Sequence, residues 1–250
     1  MKLINIIKKL YPFDYSIAGQ GNDIAIKEFM KLLLFKVHSF KSGLKHNGWK
    51  IPHSWQLKKG LIKDGKKIIF DAKKKKFAVP IQSSSFSGEI NYEKLIDHIF
   101  ISKKNKNATP YNWTGLYRAQ KPSWGFCMSE NELKKIKKKR YKIKISSSIK
   151  KSKMKVLEYT LKGKSDETII INAHNCHPYQ ANDDISGCAV GIKLFQELKK
   201  IKNRKFTYTL LIAPELYGPI FWLNKINKKQ LKNLKYCILL KSVGNNNKIK

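Results

Sequence analysis

Apolar and polar positions alternate in three different regimes along the chain. Residues 2–10 and 23–36 repeat apolar side chains at helical spacing, which predicts two amphipathic helices split by the turn-rich YPFDYSIAGQGND. Asn22 or Asp23 is placed to cap the second helix. From Gly48 to about Arg118 the pattern shortens into strand-sized pieces, WKIP, LIKDGKKIIFD, FAVPI and SFSGEI, with NYEKLIDHIF as one short helix. Asp64-Gly65 between apolar runs is a hairpin signal, because glycine tolerates the positive φ of a tight turn. This middle block reads as a small β-rich module.

Beyond Trp124-Gly125-Phe126 the pattern predicts a helix at 130–138 and strands at 141–146, 155–162 and 168–172. A helix at 189–199, a strand at 207–213, a short helix at 220–224 and a strand at 236–241 follow. Strands alternating with helices point to an α/β domain with a mixed or parallel sheet. In such sheets ligands collect beyond the carboxyl ends of the strands. Three successive strand ends here carry polar residues: His174 to Asp184, Glu215, and Lys241 to Asn245.

The first of these, IIINAHNCHPYQANDDISGCAVGIKLFQEL, is the densest in chemistry. A β-branched strand leads in and an amphipathic helix leads out. Between them lie His174, Cys176, His177, Asp183 and Asp184. Imidazole and carboxylate side chains at a strand end are what a divalent metal site requires. Asp183 stands just before the helix, where its carboxylate can face back to bind one ion or bridge two; helix capping is the competing role, and Asp184 or Ser186 could fill it instead. His174 offers a neutral imidazole to the same point. His177 can ligate or orient a ligand, and as an isolated loop histidine it is equally at home as a hydrogen-bonded structural residue. Glu215, at the end of the next strand in IAPELYGP, can act as general base toward a water or as a ligand, or simply cap the following turn. A nucleophilic cysteine is disfavoured, because Cys176 beside His177 is not a dyad by adjacency alone. Gly19-Gln20-Gly21 is too short for a phosphate loop, and Trp113 to Phe126 reads as packing rather than as a base-stacking platform.

Composition changes this picture little. Hydrophobic residues make up 42% of the 250 positions, enough for a packed core. Lysine and arginine number 52 against 17 acidic residues, a net charge of +35. That balance resembles a nucleic-acid-binding protein. Yet the lysines are spread over every segment, arginine is scarce, and isoleucine and asparagine are abundant beside them. A/T-rich codons account for all three, so a nucleic-acid partner is not expected. No apolar run approaches the roughly 20 residues needed to span a bilayer. The four cysteines show no CxxC pairing and no signal peptide precedes them, so a cytoplasmic location with free thiols is expected.

LYPFDYSIAGQGN, GWKIPHSW, GLIKDGKKIIFD, PSWGFC, NCHPYQANDDISG, FTYTLLIAPELYGPIFWL and LLKSVG together resemble, in order, a family of bacterial aminopeptidase-like proteins associated with surface-polysaccharide biosynthesis. The resemblance covers essentially the whole chain. It implies an α/β fold, a mixed and mostly parallel sheet flanked by helices as in zinc aminopeptidases, interrupted by a small β-rich insert. Residues 1–47 would then be the N-terminal helical part of the catalytic domain, 48–118 the insert, and 119–250 the α/β domain, incomplete at its C-terminus. By the same resemblance His174 matches a histidine ligand of zinc, Asp183 a metal-bridging aspartate and Glu215 an acidic base or ligand. Cys176 falls where such enzymes carry an aspartate that orients the histidine. Lys241 stands near an expected carboxylate ligand, and only one glutamate, Glu215, occupies a place where two are usual. Family members run on past this point, so a truncated or split product is expected.

The expectation is therefore a metal site of His174, His177, Asp183 and Glu215 holding one or two zinc ions, with Glu215 catalytic. It would hydrolyse an amide or peptide bond in a small peptide or amide-bearing glycan precursor. A non-catalytic binding module of the same fold is the alternative. A separate C-terminal half or a second copy of the chain is the expected protein partner. On heparin, the protein should elute below physiological ionic strength; retention that survives it would restore the polyanion reading, since diffuse phosphate contacts weaken steeply with salt.

Overall fold

Residues 1–112 and 123–246 are described by the computed structural model. The Arg118 end of the β-rich block and most of the stretch from Trp113 to Phe126 lie outside the described residues. In chain order the elements are α1 (Leu3–Leu10), α2 (Gln20–Met30), β1 (Lys36–Lys41), β2 (Lys45–His46), β3 (Trp49–Lys50), β4 (Ser54–Asp64) and β5 (Lys67–Asp71). Next come β6 (Phe86–Ile90), α3 (Tyr92–Ile96), β7 (Ile99–Phe100), β8 (Phe126–Cys127), α4 (Glu130–Leu133), β9 (Tyr141–Lys150) and β10 (Lys153–Leu161). The last are β11 (Thr168–His174), α5 (Gly187–Leu198), β12 (Thr207–Ala213), α6 (Tyr217–Lys225), α7 (Lys228–Asn233) and β13 (Leu234–Leu239). They form two units, residues 1–54 with 151–250, and residues 55–150.

The first unit is built on a mixed five-stranded sheet in the order β1-β10-β12-β11-β13. Strand β11 runs parallel to both β12 and β13, whereas β10 is antiparallel to β12 and to β1. TIIINAH of β11 is apolar because a central parallel strand is covered on both faces. On one face Ile171, Ala173, Leu210 and Ile212 meet Ile6 and Leu10 of α1, Phe29 of α2 and Ile192 and Phe195 of α5. On the other, Phe221 of α6 packs on Phe40 at 6.0 Å, and the Glu158 carboxylate takes hydrogen bonds from Trp222 and His38, each at 2.8 Å.

Helix α2 departs from its expected bounds at both ends. It stops at Met30 rather than continuing to residue 36, because Lys36 already opens β1, whose alternating KVHSFK pairs with β10. It starts at Gln20 with Gly19 as N-cap, so neither Asn22 nor Asp23 caps it. Asn22 is buried instead. Its Oδ1 accepts from the Ser16 amide at 2.8 Å and its Nδ2 donates to the Asn175 carbonyl at 3.0 Å.

In the second unit the sheet runs β5-β4-β9-β6. The Asp64-Gly65 turn joins β4 to β5, with Gly65 at φ 55°. β9 pairs with β6 and so belongs to this sheet, not to the one containing β11. FAVPI forms no strand; Ala78 and Val79 pack in a core with Ile62, Phe70, Phe126 and Tyr141. Trp124 stacks on His98 with 3.7 Å between ring centroids, a packing role.

No helix among the described residues is long and apolar enough to cross a membrane. All four cysteines are free thiols. At the edge of the first sheet, β13 leaves Tyr236, Ile238 and Leu239 exposed. An open apolar edge is a template for pairing with another chain. Ile238→Lys should therefore reduce concentration-dependent self-association in light scattering while leaving the circular-dichroism spectrum unchanged; unaltered association would show that this edge is not the contact.

Candidate metal centre

The centre is assembled where β11 ends and α5 begins. His174 is the last residue of β11 and is 2% exposed. The next turns of chain are held by one side chain, Gln180. Its Nε2 donates to the His174 carbonyl at 2.8 Å, and its Oε1 accepts from the amides of Cys176 and His177 at 3.0 and 2.9 Å. Buried at 2% exposure, this amide clamps the loop that carries both histidines. Nothing in the spacing of apolar residues marks Gln180; only its place inside the dense polar loop does.

Asp183 and Asp184 are adjacent and do different work. Asp184 is wholly buried and accepts from three backbone amides: His174 at 3.0 Å, Gly187 at 3.2 Å and Ser242 at 3.1 Å. The capping role thus belongs to Asp184. Ser186 donates instead to the Asn182 carbonyl at 2.6 Å. Asp183 faces the histidines, with Oδ1 2.8 Å from His174 Nε2 and Oδ2 3.9 Å from His177 Nε2. The other nitrogen of His174, Nδ1, lies 3.5 Å from Cys176 Sγ. Gly187 has no room for a side chain: a Cβ there would lie 2.2 Å from the Leu240 carbonyl and 2.5 Å from Asp184 Oδ1.

Glu215 follows β12 in the loop before α6, and its Oε1 lies 2.6 Å from Lys241 Nζ. Two sets of donors result, each with ligand atoms within 4.8 Å of one another: His174, His177 and Asp183, and His174, Cys176 and Glu215. So the four expected residues converge on one strand-end cluster, with Glu215 grouped through His174 and Cys176 rather than with Asp183. Tetrahedral zinc with bonds of about 2.0–2.1 Å has donor–donor edges of about 3.3 Å. One donor atom from each of His174, His177 and Asp183 lies within 4.8 Å of the others, close enough for small side-chain movements to reach that spacing, and two imidazoles with a carboxylate are a zinc-type donor set. The first set therefore fits a divalent ion.

The charges are mutually dependent. Burial alone would lower the His174 pKa, but the Asp183 hydrogen bond, with Cys176 and Asp184 behind it, outweighs burial and pushes it up to about 10. The same hydrogen bond, with one from His177, holds Asp183 far below the usual carboxylate range. Burial raises Asp184 to about 6, against the pull of its amide partners. Burial would likewise raise Glu215, yet the Lys241 hydrogen bond and charge win and hold it low. Lys241 is raised in return: Glu215 overcomes the burial that would lower it.

The sequence profile of the DUF4910 family, described as a domain of unknown function, matches residues 4–250. A protein of Clostridium acetobutylicum described as a polysaccharide biosynthesis protein with an aminopeptidase-like domain is 30% identical over 245 residues, which are 97% of this chain and 55% of that protein. A crystal structure assigned as a peptidase from the same organism superposes with a TM-score of 0.83 at 28% identity, covering 98% of this chain and 57% of that one. The Bacillus subtilis zinc aminopeptidase BSAP superposes at 0.64 with 13% identity, covering 97% of this chain and 70% of its own, and shares the fold. The chain thus spans little more than half the length of the Clostridium proteins.

His174 binds more protons folded than unfolded between about pH 6.5 and about pH 10. Stability from its pairing with Asp183 is therefore complete below the lower value and lost as pH rises to the upper one. In metal-free protein that loss should be about 1–3 kcal/mol, reduced from full linkage because Asp183 is half exposed. Denaturant titrations of the native chain and His174→Gln near both pH values check it: the stability difference between them should shrink at high pH.

Proposed function

The chain belongs to the DUF4910 family and has an aminopeptidase-like fold, and from that premise we propose that it is a zinc-dependent hydrolase of an amide or peptide bond. The observation that carries this reading is the convergence of His174, His177 and Asp183 at the carboxyl end of a central parallel strand. The name of the Clostridium relative supports a substrate among polysaccharide precursors, and an amide-bearing glycan or a short peptide is the form we propose.

In this reading His174, His177 and Asp183 hold the ion. When bound there, a zinc ion would supply Lewis acidity toward a scissile carbonyl and toward water. Cys176 against Nδ1 helps fix the ring of His174, leaving Nε2 turned toward Asp183, from which it would ligate the ion. Glu215 is the base that receives the proton of the attacking water and returns it to the leaving amine. Because Lys241 holds Glu215 ionised and weakly basic, slow turnover is expected.

That same contact favours a second reading, a glycan-binding module that keeps the fold without the chemistry. An ammonium 2.6 Å from Glu215, the one glutamate of the centre among the described residues, neutralises the base and supplies a donor to an acidic ligand. Metal-independent binding of an acidic sugar nucleotide would support it.

Elemental analysis of the dialysed protein beside Asp183→Ala separates the two. Zinc retained by the native chain and lost in the variant, together with at least a 100-fold loss of amide hydrolysis, is expected, the scale on which removing an essential metal or catalytic group acts. Undiminished hydrolysis in Asp183→Ala would sink the hydrolase assignment.

A further inference from the structure

Lys241 is more than a surface lysine in reach of a carboxylate. The backbone on either side of it is tied down: the Leu240 amide donates to the Asn172 carbonyl at 2.8 Å, and the Ser242 amide to Asp184 Oδ1 at 3.1 Å. Gly244 then donates to Asn182 Oδ1 at 2.8 Å. The stem of Lys241 therefore leaves from a fixed point on the rim of the centre. Its ammonium sits on Glu215 and also acts electrostatically on Asp183.

The two donor sets share His174. A neutral imidazole has one nitrogen able to accept and one that carries a proton. With Nε2 directed at Asp183 and Nδ1 at Cys176, His174 serves one ion, not two. The second set is then left with Cys176 and Glu215, and a cation already stands on Glu215. A divalent ion brought beside it would meet the repulsion of a like charge, moderated by water because the Lys241 and Glu215 side chains are 41% and 31% exposed.

We propose that Lys241 is an internal counter-cation: it occupies the second cation position through Glu215, limits the centre to a single divalent ion on His174, His177 and Asp183, and lowers the affinity for that ion. The assignment rests on the zinc reading above and adds to it a residue that sets metal number and affinity. Removing the ammonium abolishes the repulsion and releases the Glu215 carboxylate toward the ion.

Titration calorimetry with zinc alone, on the native chain, Lys241→Ala, Lys241→Arg and the double variant Lys241→Ala/Glu215→Gln, tests it, with thermal unfolding to verify that each is folded. The native chain should bind one ion. Lys241→Ala should bind at least about tenfold more tightly, an effect of some 1.4 kcal/mol that comes chiefly from the Glu215 carboxylate the ammonium no longer neutralises. Lys241→Arg should stay within about threefold of native, because it keeps the charge. The double variant should lose most of the gain, since the released carboxylate is gone. Two ions on the native chain, an unchanged or weakened Lys241→Ala, or a gain fully kept in the double variant would each overturn the proposal. No zinc on any variant would instead overturn the zinc reading itself. No zinc on the native chain but binding by Lys241→Ala would uphold the role of Lys241 and overturn only the metal-dependent function.

Discussion

One buried carboxylate ties the centre together. Asp184 lies out of solvent and receives backbone amides from three different segments: the end of β11, the first turn of α5 and, 58 residues away, the stretch after β13. An ionised carboxylate without partners at that depth is very costly, and three amide donors are what make it tolerable. Its hydrogen bonds convert three chain ends into one rim. Gly187 completes the arrangement, since any larger residue would push Asp184 and the Leu240 carbonyl apart. Everything chemical stands on that rim: His174 shares its backbone, Asp183 precedes it, and Lys241 is one residue from Ser242.

Electrostatics then divides labour between neighbouring groups of the same kind. Asp184 is driven up by burial, while Asp183, half exposed and facing two imidazoles, is driven down. Such separation of like groups by environment is typical of functional sites. In the same centre Cys188, in the first turn of α5, is fully buried and its thiol is held well above its ordinary range by burial, a packed and unreactive sulfur. Cys176 differs in touching the ring of His174.

Much of the fold was legible because period and burial coincide. The apolar β11 run, the alternation in β9 and the stripe of α5 all follow from the face each must bury. Legibility failed where a tertiary partner decided the outcome. Residues 31–36 continue a helical stripe on paper but are claimed by pairing with β10. FAVPI looks like a strand and is a buried turn segment. Helix α7 was missed, although Asn227 and Gln230 form a capping box around it, because its KKQLKN has no apolar stripe. At the centre, His174, His177, Asp183 and Glu215 announced themselves by residue type at strand ends. Gln180 and Asn22 did not, for their work is to satisfy backbone groups, and a side-chain amide in a loop carries no signal of which carbonyl it will meet.

The residues that build this centre are largely separate from those that would do its chemistry. Asp184, Gln180, Gly187 and Asn22 bond to or crowd the backbone; His177, Asp183, Glu215 and Lys241 project from what they build. A change among the second group alters charge and ligand number without removing a single backbone hydrogen bond described for the first. That is how one architecture holds different chemistries. A lysine at position 241 costs the fold little, since its neighbours' amides, not its side chain, secure the strand end. Its cost falls on the proposed function, in which an ammonium and a divalent ion would compete for the same carboxylate. The fold is thereby insulated from the choice between a working hydrolase and a binding module, and that choice is concentrated in the Lys241–Glu215 pair.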